Sequence, residues 1–150
     1  SNGIVAELGS YKGLFAEEIL KKAKPIEFHI VDINFKFFKS EELLKSNMVV
    51  KHQGLTIDVM KSFNEKYFDW IYIDAGHTYE DVKADIEASK HKVKQGGFLI
   101  FNDFAHISPN LSRFGVMQAV TEFVNNENWP VRFFAFNGFG LYDIAIQRPN

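Results

Sequence analysis

Residues 4–24 read IVAELGSYKGLFAEEILKKAK, an apolar run, a loop with two glycines and a helical pattern in direct succession. The apolar run Ile4–Leu8 predicts a buried strand, which Gly9 closes. Apolar residues then recur at helical spacing over Leu14–Lys24, and Pro25 ends the pattern. We therefore predict a strand, a glycine loop and a helix as the first unit of the fold.

The same alternation continues to the end of the chain without a linker or a repeat. Further strands are predicted at 26–33, 48–52, 70–73, 98–101, 132–136 and 141–147, and further helices after Ser40, at 59–63, from Thr78 past Val82, Ile86 and Val93 to Gly96-Gly97, and at 116–124. Strands separated by helices form parallel sheets, whereas the short connection 137–140 forces the last two strands to run antiparallel. The predicted class is α/β: a doubly wound, mostly parallel, seven-stranded sheet with a C-terminal antiparallel hairpin.

Composition limits the classes of function. The 150 residues suit one domain, predicted at 4–150, with residues 1–3 as a tag remnant and the start of the first strand. A net charge of −2 without a basic cluster argues against nucleic acid as a partner, and no apolar run is long enough to span a membrane. The absence of cysteine excludes disulfides, and we expect a cytoplasmic protein. The 16 phenylalanines are expected to pack in the core.

The glycine loop indicates what kind of ligand would bind. Gly9 permits a tight turn, Gly13 lets the helix start close to the sheet, and Asp32 ends the second strand, where an acid can bind ribose hydroxyls. Dinucleotide sites have glycine where Tyr11 stands, because the backbone there approaches a pyrophosphate. Glu7 adds negative charge, which suits an ammonium or a sulfonium. A phosphate-free adenosyl ligand is favoured, and the alternative is that the glycines only shape the turn.

Polar side chains also follow the fourth and fifth predicted strands. Asp74 and His77 follow one, and Asn102 and Asp103 follow the other, so these side chains are expected at one edge of the sheet. Their oxygens predict a Mg²⁺ site formed by Asp74, Asn102 and Asp103, and His77 is a candidate general base. The alternative is that Asp74 bonds loop amides and His77 caps the next helix.

Four motifs resemble one enzyme family. They are Glu-x-Gly-Ser-Tyr-Lys-Gly (7–13), Val-Asp-Ile (31–33), Ile-Asp-Ala-Gly-His-x-Tyr (73–79) and Gly-Gly-Phe-Leu-Ile-Phe-Asn-Asp-Phe (96–104). Together they resemble the class I S-adenosylmethionine-dependent methyltransferases, and more narrowly the group of macrolide and sugar O-methyltransferases and cephalosporin-hydroxylase-like proteins. The resemblance implies a Rossmann-like methyltransferase fold. The cofactor residues that it implies are Glu7, Gly9, Ser10, Tyr11, Gly13, Asp32, Ile33, Gly54, Leu55, Asp74 and Ala75.

The resemblance implies O-methylation of a small hydroxylated metabolite or sugar, with Asp74 and His77 at the reaction centre. The chain departs from the family at Leu55, where an acid usually faces adenine, and at Asn102, where the family has an acid. Resembled enzymes carry helices before the first strand, and we expect this domain to lack those cap helices. A binding domain without turnover, a partner-dependent domain and a hydroxylase-like relative stay open, and so does a homo-oligomer.

Overall fold

The computed structural model describes residues 2–108, 110–136 and 140–150. Within these residues the elements are β1 (Ile4–Leu8), α1 (Leu14–Ala23), β2 (Glu27–Asp32), α2 (Glu41–Lys45), β3 (Val49–Gln53), α3 (Thr56–Lys61), β4 (Phe68–Ile73), α4 (Tyr79–Ser89), β5 (Val93–Phe101), α5 (Val116–Glu127), β6 (Val131–Phe136) and β7 (Tyr142–Gln147). The predicted connection 137–140 lies, apart from Gly140, outside the described residues.

The strands form one seven-stranded sheet in the order β3-β2-β1-β4-β5-β7-β6. The first five strands pair in parallel, and β7 runs antiparallel to both β5 and β6. The predicted doubly wound sheet, with one reversed strand in an antiparallel C-terminal pair, is therefore confirmed. Because the first five strands are parallel, their carboxyl ends meet at one edge. The strand order reverses between β1 and β4, and ligands bind at such a point in open α/β sheets.

The helices divide between the two faces of the sheet. On one face α3, α4 and α5 cover a core that includes Leu8, Ile71 and Leu99. On the other face α1 and α2 cover a smaller cluster that includes Val5, Phe28 and Ile30. This second cover lies over β1 and β2, with Val49 of β3 and Trp70 of β4 at its margins, so the same face of β5, β6 and β7 lies open beside α1.

Helix starts follow the predicted capping residues. The Ser40 hydroxyl accepts the Leu43 N–H at 3.2 Å, and the Thr78 hydroxyl accepts the Asp81 N–H at 3.1 Å. Each bond satisfies one of the N–H groups that a helix leaves unpaired at its first turn. Helix α3 begins three residues earlier than predicted, at Thr56.

The prediction for Val93 and Gly96-Gly97 was wrong. Helix α4 ends at Ser89, and β5 already begins at Val93, which pairs with Phe68. The glycines form an irregularity inside β5, where the register with β4 shifts. Gly96 has a φ of +73°, and a Cβ at Gly97 would lie 2.5 Å from the Asp69 carbonyl oxygen. Glycine is thus required here because the strand forms a bulge. Glycine is also typical of helix ends, so the two structures give the same sequence signal.

The expectation that phenylalanines pack in the core holds only in part. Phe28, Phe68 and Phe101 are buried, whereas Phe133 is 67% exposed and Phe136 is 79% exposed. The described part of the chain contains no helix whose length and apolar character would let it cross a membrane.

Candidate functional site

A cavity of about 420 Å³ opens at the carboxyl edge of the sheet. Its wall follows the ends of β4, β1, β2 and β3 and is closed on one side by α4. The lining residues are Gly9, Tyr11, Asp32, Ile33, Gly54, Leu55, Thr56, Ile57, Asp74, Ala75, Gly76, Asp81, Ala84 and Asp85. Eight of the predicted cofactor residues are therefore brought together: Gly9, Tyr11, Asp32, Ile33, Gly54, Leu55, Asp74 and Ala75.

Asp32 holds the glycine loop in place. Its Oδ2 accepts the N–H groups of Ser10 at 3.0 Å and of Tyr11 at 2.8 Å. Its Oδ1 accepts the Asn34 N–H at 3.1 Å. The loop N–H groups at Ser10 and Tyr11 thus point to a carboxylate of the protein, so they are not free to bind a phosphate as in nucleotide loops. The side chain of Asp32 still lines the cavity, and Oδ1, which accepts only the Asn34 N–H, has a further lone pair for a ligand hydroxyl.

Glycine is required at the two loop positions, 9 and 13, for different physical reasons. Gly9 has a φ of +85°, and a Cβ there would lie 2.1 Å from the Asp74 carbonyl oxygen, so the end of β1 closes directly onto the end of β4. Gly13 has a φ of +80°, and its Cβ would lie 2.6 Å from the Phe38 ring. The expectation for Gly13 was a close approach to the sheet, but its actual neighbour is the Phe38 ring.

Three predicted cofactor residues lie behind the cavity wall. Glu7, Ser10 and Gly13 are buried and do not line the cavity. Glu7 is 1% exposed, and its Oε2 is buried without a hydrogen bond. Burial, followed by repulsion from Asp74 and Asp32, raises the pKa of Glu7 well above its ordinary value. Of these three acids only Asp32 and Asp74 line the cavity, and their carboxylates favour a positively charged ligand there.

Asp74, His77 and Asp103 form the second part of the site. His77 Nε2 lies 3.5 Å from Asp74 Oδ1 and 3.3 Å from Asp103 Oδ2. These are the distances of ion pairs, and no well-aligned hydrogen bond reaches this nitrogen. Asp103 and then Asp74 nevertheless raise the pKa of His77 to about 9. The His77 ring stacks on Phe114 with ring centroids 4.7 Å apart, which fixes its orientation. The imidazole is thus a cation at neutral pH, held between two acids.

The geometry does not support the predicted Mg²⁺ site. Asn102 turns its Nδ2 donor toward Asp74 Oδ1 at 2.9 Å, and its Oδ1 faces the Tyr72 hydroxyl at 3.2 Å. The His77 imidazolium occupies the space between Asp74 and Asp103. Among the described residues, no group of three or more histidine, aspartate or glutamate side chains is arranged to hold a metal. The three predicted ligands thus contact protein groups and are not arranged around a cation, so no step of a reaction is assigned to a metal.

Several residues of the site were missed by the sequence analysis. Thr56, Ile57, Gly76, Asp81, Ala84 and Asp85 line the cavity without having been predicted. Asp143 on β7 accepts the Tyr72 hydroxyl at 3.0 Å and extends the network that begins at Asp74. One signal was available for Asp85, because it lies on the apolar stripe of α4 between Val82 and Ile86, where a buried carboxylate is uncommon. Asp143 has no comparable signal, since its place depends on the pairing of β5 with β7.

The chain matches one protein family in sequence and several solved structures in fold. The sequence pattern of the Methyltransferase domain family matches residues 6–104, which is well over half of the chain. No curated protein matches in sequence. The fold is similar to an S-adenosylmethionine-dependent methyltransferase of Methanosarcina mazei, with a TM-score of 0.72, 11% identity and coverage of 99% of this chain and 93% of that one.

Two further solved structures share the fold. One is an S-adenosylmethionine-dependent methyltransferase of Aquifex aeolicus, with a TM-score of 0.72, 13% identity and coverage of 97% and 82% of the two chains. The other is spermidine synthase of Thermotoga maritima, with a TM-score of 0.70, 15% identity and coverage of 99% and 54%. At these identities the likeness shows the fold, and the match over residues 6–104 shows that the chain belongs to the Methyltransferase domain family.

Proposed function

We propose that this chain transfers the methyl group of S-adenosylmethionine to a hydroxyl group of a small molecule, such as a sugar or another hydroxylated metabolite. The observation that supports the cofactor best is the glycine loop, whose N–H groups at Ser10 and Tyr11 are already bound by Asp32. A pyrophosphate would find these two donors already bound and would meet the carboxylates at this edge. An adenosyl ligand with an ammonium and a sulfonium suits this edge.

The lining of the cavity supports a position for each part of such a ligand. Asp32 would accept a ribose hydroxyl on Oδ1, and Gly54 and Leu55 would flank the adenine. The methionine part would lie where Gly9 contacts Asp74. When bound, S-adenosylmethionine would supply the activated methyl group on its sulfonium. The chain would contribute alignment of the acceptor and exclusion of water.

His77 is the candidate general base of this proposal, with Asp74 and Asp103 as the acids that orient it. A pKa of about 9 makes His77 a stronger base than an ordinary histidine. It also means that only roughly one molecule in a hundred carries the neutral form at pH 7. Turnover should therefore rise with pH until about pH 9, where His77 loses its proton.

A second candidate is a domain that binds the adenosyl ligand without turnover. It is favoured by the open groove beside the reaction centre, where Phe15, Trp70 and Phe133 line an apolar floor next to Tyr72 and Asp143. Methyl transfer benefits from a site closed to water, and the described elements leave this side uncovered. Under this candidate, binding is retained and no acceptor is methylated by the chain alone.

Ligand binding tests the cofactor assignment directly. We expect S-adenosylhomocysteine to raise the melting temperature of the protein, because a ligand that binds only the folded state stabilises it by mass action. NAD⁺ at the same concentration is the matched control and should give no shift. Stabilisation by NAD⁺, or none by S-adenosylhomocysteine or S-adenosylmethionine, would contradict the proposal.

Turnover separates the two candidates. The wild-type protein is incubated with S-adenosylmethionine and a panel of sugars and phenols, and the release of S-adenosylhomocysteine is measured. His77→Ala should bind S-adenosylhomocysteine as the wild type does, because His77 does not line the cavity, but should release none in the assay. Binding without release by the wild type over the whole panel would favour the second candidate.

A further inference from the structure

Asp85 is a buried carboxylate that the proposed reaction does not use. It lies on α4 between Val82 and Ile86, and it is 3% exposed. Buried carboxylates are uncommon in proteins unless a cation or several donors compensate them. No lysine, arginine or histidine pairs with Asp85 in the part of the chain that the structure describes. Because burying such a carboxylate costs free energy of folding, we expect it to have a function.

The contacts of Asp85 leave one of its oxygens available. The Thr56 hydroxyl donates to Oδ1, and within the described residues Oδ2 receives no hydrogen bond. Burial raises the pKa of Asp85 to about 6, opposed by the bond from Thr56. At pH 7.5 the side chain is therefore a carboxylate with one satisfied and one unsatisfied oxygen, next to the cavity that it lines.

The position of Asp85 corresponds to one end of the ligand cavity. The strand ends follow one another along the edge as β4, β1, β2 and β3, and Thr56 is the first residue of α3, just beyond β3. A ligand whose ribose lies at Asp32 on β2 would extend its purine toward β3 and α3. The loop after β3 offers Leu55 there and no acid. Asp85 reaches the same place from α4, beside Ala84 and Ile57.

We propose that Asp85 determines the specificity for adenine, its Oδ2 accepting a hydrogen bond from the 6-amino group of the purine. The inference rests on the proposed cofactor. Thr56 positions the carboxylate by holding Oδ1. A 6-oxo purine presents an acceptor oxygen in place of the amine, so it would be repelled by the carboxylate and would leave Oδ2 buried and unpaired.

A different role for Asp85 would be structural, since its bond to Thr56 links α4 to α3. The two roles make different predictions. A structural bond predicts loss of stability on mutation with an unchanged choice between ligands. A specificity role predicts a changed choice between an adenosyl ligand and its 6-oxo analogue, whatever happens to stability.

The experiment compares two ligands by isothermal titration calorimetry: S-adenosylhomocysteine and S-inosylhomocysteine, which differs in carrying a 6-oxo purine. At pH 7.5 we expect the wild type to bind the adenosyl ligand roughly ten- to a hundredfold more tightly. Asp85→Asn should reduce this ratio at least about tenfold, because an amide NH₂ can donate to the 6-oxo group. Asp58→Asn removes an exposed acid of α3 that pairs with Lys61, and this matched control should keep the wild-type ratio.

The wild type supplies a test that does not depend on the folding of a variant. Lowering the pH from 7.5 to 5 protonates Asp85, and the neutral carboxyl can then donate to a 6-oxo group, so the ratio should fall. Asp81 is the other titratable group that acts on Asp85, and Asp32 and Asp74 line the same cavity. The last two face parts that both ligands share, so they change both affinities alike. Asp81→Asn should keep the pH dependence of the ratio.

The outcomes separate this inference from the proposed function. If S-adenosylhomocysteine binds and the ratio is the same in the wild type and in Asp85→Asn, Asp85 does not select adenine and the inference is overturned. A wild-type ratio that stays constant between pH 7.5 and pH 5 overturns it as well. If the wild type binds neither ligand, the proposed cofactor is wrong, and the inference fails with it.

Discussion

His77 illustrates how far a residue's surroundings change its chemistry. An ordinary histidine has a pKa of about 6.5, and between Asp103 and Asp74 the pKa of His77 rises to about 9. Since the charged form is the one stabilised in the folded state, its contribution to stability is complete below pH 6.5. It is lost as the pH rises through about 9.

This pH dependence of the stability that His77 contributes leads to a prediction for His77→Gln. The variant should be less stable than the wild type at pH 6, and the difference in the free energy of unfolding should shrink to near zero by about pH 10. Urea unfolding at pH 6, 8 and 10 measures it. His91→Gln, two residues before β5, is the control for replacing a histidine away from the site. A difference that grows with pH would contradict the assignment.

Asp32 has two roles at once, which makes its replacement informative. It bonds the N–H groups of Ser10 and Tyr11, and it also lines the cavity where the ribose is proposed to lie. Asp32→Ala should therefore weaken the binding of S-adenosylhomocysteine by at least about tenfold, through lost hydrogen bonds to a charged acceptor. Calorimetry measures the dissociation constant. Unchanged affinity in Asp32→Ala would mean that the ribose does not bind at Asp32.

At the scale of elements, β5 shows where local sequence signals mislead. Two consecutive glycines after a helical pattern indicate a helix end, yet Gly96 and Gly97 lie within the strand. They are needed because the register between β4 and β5 shifts at Phe68 and Trp70, and that shift is a property of the paired strands. The local sequence pattern of β5 contains no information on its register with β4, so the bulge could not be predicted.

The two glycines should differ in their tolerance to alanine. A Cβ at Gly97 would lie 2.5 Å from the Asp69 carbonyl oxygen, whereas the nearest atom to a Cβ at Gly96 is the Asn150 side chain at 3.4 Å. Gly97→Ala should cost about 2–3 kcal/mol by forcing two backbones apart. Gly96→Ala should cost only about 1 kcal/mol, for its positive φ. Urea unfolding gives both values, and an equal or reversed order would contradict this account of the bulge.

The site residues that could be predicted from the sequence are those at the carboxyl ends of strands. Gly9, Asp32 and Asp74 each follow or end a strand with a clear apolar pattern, so their meeting at one edge could be inferred from the alternation of strands and helices. Asp85 and Asp143 could not be placed in this way. Asp85 reaches the cavity from the side of a helix, and Asp143 joins the site because β7 inserts between β5 and β6.

At the scale of the whole molecule, the sheet is covered unequally. Three helices cover one face, and on the other face α1 and α2 leave β5, β6 and β7 open. All six residues of β6 are exposed. Phenylalanine therefore has two distinct settings in this protein, a closed core and an open sheet surface, which composition alone does not separate.

Two substitutions distinguish these settings. Phe101 is 1% exposed at the end of β5, so Phe101→Ala should cost about 3–5 kcal/mol through lost burial and a cavity. Phe133 on β6 is 67% exposed, and Phe133→Ser should change the free energy of unfolding by less than about 1 kcal/mol. Urea unfolding at low protein concentration measures both. A cost for Phe133→Ser close to that of Phe101→Ala would mean that β6 is covered in solution, because only desolvated surface can account for a loss of that size.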